Sequence, residues 1–232
     1  MATKINFDNS SFKGFSQSGM KFFHDLRCHN DRDWFAVNRE RYIRFVLEPM
    51  KQLVKEISSV VTDLDPLVVT ASNRIISRVY RDTRFSADKS PYRPRIWFVF
   101  KRDVQYWTAT PAYFFQFDES EYVFGMGMYS ASAATMRNFR GMIDDNPERF
   151  RNIIDPILRA RNLDLESDCY KRRIPSEHSP TVDRWYQSKS IAVLSYRKPD
   201  KIFFSAKLID LLIDRFILLK PLYDFLWNAT VL

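Results

Sequence analysis

Apolar residues recur every three to four positions at the start of the chain. Phe22, Phe23 and Leu26 carry that spacing through residues 16–29, with Ser16 or Ser18 placed to cap the first turn. Asn30, followed by Asp33, opens a second helix that runs through Trp34, Phe35 and Tyr42 to the neighbourhood of Phe45. Pro49 marks a new first turn, and Met50, Leu53, Val54, Ile57 and Val61 form one stripe ending near Pro66.

The period then changes. β-favouring runs cover 74–81 and 95–102. Two more, 112–118 and 122–128, are separated by a short polar stretch and predict an antiparallel hairpin. Helical spacing returns at 132–144 and 147–161, the latter opened by Asn146-Pro147. A polar stretch fills 164–180, and Ile191–Tyr196 reads as a further strand. Helices over 206–219 and 221–228 close the chain, with Pro221 starting the last. Helices, then consecutive strands, then helices predict an α+β fold: a mainly antiparallel sheet flanked by N-terminal and C-terminal helices. No linker or internal repeat interrupts residues 1–232, which read as a single domain.

Composition narrows the classes. A hydrophobic fraction of 45% and an aromatic fraction of 16% suffice for a buried core. No apolar run approaches the ~20 residues of a membrane span, and the first residues lack an apolar signal core. Cys28 and Cys169 give neither a disulfide framework nor metal spacing, and Cys28 falls in a helical stripe as a core residue. The three His have no ligand-like spacing either, so no metal site is expected, and a reduced cytoplasmic setting is. GxGxxG and GxxxxGK[ST] are missing, and nothing names a cofactor.

Charge singles out one place. Nine Lys/Arg and two Asp lie between Arg74 and Arg102, so +7 of the chain's +8 is concentrated there. Self-repulsion makes this costly unless carboxylates or an anionic ligand answer it. Between two expected strands lies the loop Arg81-Asp82-Thr83-Arg84-Phe85-Ser86-Ala87-Asp88-Lys89-Ser90-Pro91-Tyr92. Arg78, Arg81, Arg84 and Lys89 are forked or point-charge donors for a phosphate or carboxylate, and Ser86 adds a neutral one. Asp82 and Asp88 are candidate bases, or holders of the cations. The bland alternative is an internal ion-pair staple with Phe85 and Tyr92 plugged into the core. Alternation along a strand puts Arg74, Ile76, Arg78 and Tyr80 on one face, a possible cationic groove.

Three further constellations stand out. Trp34, Asn38 and Tyr42 share a helix face and offer pocket walls, although Trp34 and Phe35 serve equally as anchors between helices. Gly125 and Gly127 inside a strand mark a bulge or the close approach of ligand or backbone. His178 beside Glu177 is a candidate acid/base, or a plain surface residue.

These residues resemble the domain-of-unknown-function family 2461. The resemblance covers nearly the whole chain. It rests on Phe22, Phe23 and Leu26, then Asn30-x-Arg32-x-Trp34-Phe35-x-x-Asn38 with Tyr42, then Pro49. Its most specific element is Arg78-x-x-Arg81-Asp82-x-Arg84-Phe85-Ser86-x-Asp88-Lys89-Ser90-Pro91-Tyr92. Gly125/Gly127, Arg137, Arg140, Asn146-Pro147, Lys171-Arg172, Pro175, His178, Lys189-Ser190 and Pro221-Leu222 continue it. The segment between Pro175 and His178 is shorter than the family's usual length. The resemblance implies a soluble, single-domain, cytoplasmic protein and carries over no activity.

Three functional readings follow. The first is a site for an anionic or phosphorylated small molecule, with Arg78, Arg81, Arg84 and Lys89 holding the anion and Trp34 and Tyr92 as walls. Asp82, Asp88 and His178 are its acid/base candidates. The second is a non-catalytic nucleic-acid or protein module using Tyr80, Phe85 and Tyr92 as stacking groups. The third is the staple. Asp interleaved with Arg favours the first and third, and any nucleic-acid binding is expected to be weak.

Overall fold

The computed structural model describes residues 11–84 and 87–231. Helix α1 (Gln17–Cys28) is capped by Ser16, whose side chain accepts from the Gly19 N–H. Helix α2 (Arg32–Tyr42) is capped by Asp31 rather than Asn30. It then passes through a π-helical turn, Ile43–Leu47, directly into α3 (Glu48–Leu64). Pro49 therefore does not begin a separate helix. It has no N–H to offer the carbonyl of Phe45 four residues earlier. That carbonyl lies against Gly19, where an added Cβ would sit 2.6 Å from its oxygen.

After a single turn, α4 (Ser72–Ile75), come β1 (Ile96–Phe100), β2 (Ala112–Phe117) and β3 (Tyr122–Gly127). Then follow α5 (Ala133–Asp145), α6 (Pro147–Arg159), β4 (Asp164–Glu166), α7 (Pro180–Tyr186), β5 (Ala192–Arg197) and α8 (Lys207–Ala229). The sheet is five-stranded and antiparallel throughout, in the order β1-β2-β3-β5-β4. This is the α+β arrangement that the patterning predicts.

Several expectations need correction. Residues 74–81 are not a strand. Ser72–Ile75 form a helical turn, and the rest pairs only through isolated bridges, Ile76 with Phe98 and Tyr80 with Tyr92. Pro91 and Pro94 on the facing segment lack the N–H groups a ladder needs. The shared face of Arg74, Ile76, Arg78 and Tyr80 therefore does not form. Strand β4 and helix α7 arise within and beyond a stretch that reads only as polar. Pro221 lies inside α8 instead of starting a new helix. The carbonyl it leaves without a donor belongs to Ile217, which is half exposed, so water can take the bond. Cys28 is exposed, not core.

Alternation makes the two sheet faces unlike. Ile96, Phe98, Phe100, Tyr113, Phe115, Phe117, Tyr122, Phe124 and Met126 point to one face and are buried there. Phe23 of α1 meets Phe117, while Phe216 and Tyr223 of α8 pack on Tyr113. Helix α8 also packs on α3, α5 and α6. Gly125 and Gly127 let β5 approach β3: a Cβ at Gly125 would lie 2.0 Å from the Val193 carbonyl oxygen. Neighbouring backbone, not a ligand, accounts for these two glycines. No helix among the described residues is long and apolar enough to cross a membrane.

One buried charge joins α3, the end of β1 and α8. Asp65 is 3% exposed. It accepts from Arg102 Nε at 2.8 Å, from the Tyr223 hydroxyl and from the Leu67 N–H. Arg102 in turn lies over the Trp227 ring. Burial alone would raise the Asp65 carboxyl, but these hydrogen bonds outweigh it and hold it below the ordinary carboxylate value. A depressed folded-state value gives stability that is present above about pH 3.9, the unfolded value, and lost as pH falls through the folded one. Arg102→Ala is expected to cost about 3 kcal/mol at pH 7, because it leaves a buried carboxylate unpaired. The penalty should shrink in acid, where Asp65 is neutral. Urea denaturation at the two pH values measures both effects.

Candidate functional site

The sequence's two strongest constellations meet at the end of the molecule where α2 begins. Asn30 acts on Tyr92 like a strand partner: its Nδ2 donates to the Tyr92 carbonyl and its Oδ1 accepts from the Tyr92 N–H, both at 3.0 Å. Phe35 stacks on the Tyr92 ring, with centroids 4.1 Å apart. Tyr92 is thus a buried anchor, and its fixed position sets the loop that precedes it. Backbone bonds from Arg81 N–H to the Pro91 carbonyl and from Arg93 N–H to Val79 close the base of that loop.

A cleft of about 530 Å³ opens between the loop and α2, lined by Arg32, Arg81, Thr83, Lys89, Tyr80 and Tyr92, with Pro91 between. It gathers the expected Arg81, Lys89 and Tyr92, and it adds Arg32. Arg81 Nη1 pairs with Asp88 at 2.6 Å. The buried Arg81 Nε–H has no acceptor among the described residues. Lys89 Nζ donates to the Thr83 carbonyl at 2.9 Å, which leaves two of its N–H groups for other acceptors. Arg32 forms no ion pair among the described residues.

The other expected residues fall elsewhere. Arg84 forks Asp82 through Nε and Nη2, at 3.0 and 2.7 Å. That guanidinium holds the Asp82 carboxyl down at about 2. Hydrogen bonds from Ser90, and then the nearby Arg81, also lower Asp88. Carboxylates held so far below neutrality are poor proton acceptors at pH 7 but good orienters of cations. Arg78 is exposed and does not line the cleft. Ser86, like Phe85, lies outside the described residues. Trp34 packs on Phe22 and His29, Asn38 bonds the Trp34 carbonyl and Arg41, and Tyr42 is buried; that helix face is packing.

His178 takes its contacts from α5 and α7. Its Nε2 is 2.7 Å from Asp144 Oδ1, and the Tyr186 hydroxyl donates to the other carboxylate oxygen at 3.0 Å. Its partner is Asp144, not the adjacent Glu177. Among the described residues no three His, Cys, Asp or Glu side chains gather closely enough to hold a metal ion.

Sequence reasoning missed Arg32 and the clamp made by Asn30. A signal for Arg32 was there: it opens α2, where the helix dipole disfavours a cation. A cation in that position has another use. Asn30→Ala is expected to lower stability by about 2 kcal/mol, since it strands two backbone groups of a buried residue. Faster hydrogen exchange at the Tyr92 amide would mark the loss as local to the cleft wall.

No curated protein matches the chain. The conserved hypothetical protein family DUF2461 does: its model matches residues 18–225, which include both the Asn30–Tyr42 and the Arg78–Tyr92 segments. The chain belongs to that family.

Proposed function

We propose that this protein binds an anionic small molecule, phosphorylated or carboxylated, in the cleft between α2 and the 80–92 loop. One observation carries the reading: Arg32, Arg81 and Lys89 line a single cleft, and of the three only Arg81 forms an ion pair among the described residues, with Asp88. The Arg81 Nε–H, without an acceptor among the described residues, supports it, because a buried donor left so costs about 1–3 kcal/mol and a ligand oxygen would offset that. Arg81 and Arg32 supply forked donors, Lys89 a point charge, and Tyr80 and Tyr92 an aromatic wall. Asp88 orients Arg81 before the ligand arrives, which lowers the ordering cost of binding.

The staple reading fares less well on energetics. The Arg84 side chain is 76% exposed and that of Asp82 48%, so their ion pair is screened and contributes little to folding. A nucleic-acid reading meets Asp82 and Asp88 on the same loop, both of them exposed.

Thermal melts of the full chain with inorganic phosphate and a panel of phosphorylated and carboxylated metabolites test the proposal. A true ligand at a hundredfold its Kd should add about 2.7 kcal/mol of stability. Arg32→Ala and Lys89→Ala should fold normally and lose that response, whereas Arg84→Ala should keep both fold and response. A large drop in melting temperature for Arg84→Ala, with no ligand response in the wild type, would return the loop to a structural staple.

A further inference from the structure

The sheet face turned away from the helices carries a groove of about 500 Å³. Val99, Phe114, Ala192 and Leu194 form its floor, and Trp97 and Trp107 stand at the β1 side. Three cations gather around those indoles. Arg93 and Arg95 lie over Trp97, with guanidinium carbons 5.2 and 5.9 Å from the ring centroid. Lys101 Nζ lies 3.7 Å from the Trp107 centroid. Among the described residues none of the three forms an ion pair, whereas Arg74, Arg81, Arg84 and Arg102 of the same basic stretch each have a carboxylate. Burial, and then repulsion from neighbouring cations, lowers both Arg93 and Lys101 from their ordinary values. The groove thus joins an aromatic and apolar floor to cations that form no ion pair among the described residues.

We propose that this groove binds a small anion with a flat aromatic body: an aryl carboxylate, sulfonate or phosphate. Its volume falls in the range of small-molecule sites, roughly 300–1,000 Å³, and its lining has their character: mostly apolar, with a few polar groups. The aromatic body packs against Phe114, Trp97 and Trp107, and the anionic group meets Arg95 and Lys101. Thr108 and Gln116 are left to select among substituents. A polymeric anion is disfavoured by the far edge of the same face. There β4 sets Asp164 opposite Leu194 and Glu166 opposite Ala192, and both carboxylates are exposed. The anionic group is therefore directed to the β1 side, with the aromatic body reaching across the floor toward Leu194. No lining residue is shared with the cleft beside α2.

The probe is 2-naphthoate, followed by tryptophan fluorescence and calorimetry on the full chain, with neutral 2-naphthamide and acetate alongside. Naphthoate should bind saturably, the amide about tenfold more weakly for want of a charge-assisted contact, and acetate not at all. The double variant Arg95→Gln/Lys101→Gln should keep its melting temperature, bind naphthoate about tenfold more weakly and bind the amide as the wild type does. Leu194→Glu, which places a carboxylate in the floor, should abolish naphthoate binding. Arg81→Ala should leave it unchanged, which separates this groove from the cleft. The proposal falls if naphthoate does not saturate, if the amide binds equally well, or if the double variant retains full affinity. Loss of binding in Arg81→Ala, or tighter binding of an oligo-dT of about ten nucleotides than of naphthoate, would also overturn it.

Discussion

The two-residue period of a β-strand governs the rest of this structure. Once β1, β2, β3 and β5 pair in register, every large ring of one parity must point the same way. Phe98, Phe115, Phe124 and their neighbours then form one continuous apolar surface, which helices cover. Each such ring is worth about 2 kcal/mol when removed from water, so a one-residue slip would be ruinous. The same rule sends Trp97, Val99, Phe114 and Leu194 to the opposite face, where no α-helix among the described residues lines the groove they form. Covering one face and leaving the other open are thus a single consequence of register.

Register also sorts the positive charge. The basic stretch from Arg74 to Arg102 runs from the helical turn of α4, around the loop, and along β1. Outside the cleft, six of its nine cations meet three fates. Arg102 is drawn inward to Asp65, where low solvent exposure makes the pair strong and its rupture costly. Arg74 and Arg84 pair with Asp103 and Asp82 at the surface, where solvent takes most of the gain. Arg93, Arg95 and Lys101 flank β1 and turn to indoles instead of carboxylates. A cation–π contact is worth about 0.5–1 kcal/mol at an exposed site, rising as water is excluded, and it leaves the charge available to an anion. The concentration of +7 is therefore not a uniform patch.

The helix–sheet–helix order was legible because α1, α3, β2 and β3 each keep their period over enough residues to be unambiguous. The failures have local causes. At 74–81 the residues favour a strand, but the partner segment carries Pro91 and Pro94, so pairing shrinks to bridges; one segment's propensity does not report its partner's donors. Pro49 and Pro221 look like helix starts, yet each falls where the surroundings tolerate the missing hydrogen bond. Strand β4 has only three residues and exists because β5 offers an edge. Within the cleft, Arg81, Lys89 and Tyr92 could be read from charge and motif. Arg32 could not be joined to them, since it is the Asn30–Tyr92 clamp, across 62 residues of sequence, and the Phe35–Tyr92 stack that bring the two segments into one wall. Trp97 reads only as a strand residue, because its bearing on Arg93 and Arg95 depends on the face that register gives it.

Arg93 ties the two cationic places together. Its backbone N–H closes the loop on Val79, its guanidinium reaches the Arg78 carbonyl, and the same guanidinium lies over Trp97 at the edge of the groove. It is repelled from both sides, by Arg81 at the loop and by Arg95 at the groove. That repulsion is screened less than at an exposed site, because Arg93 is partly buried. The loop and the open face thus adjoin at Arg93, the loop fixed by Asn30 and Phe35 and the open face by the register of β1.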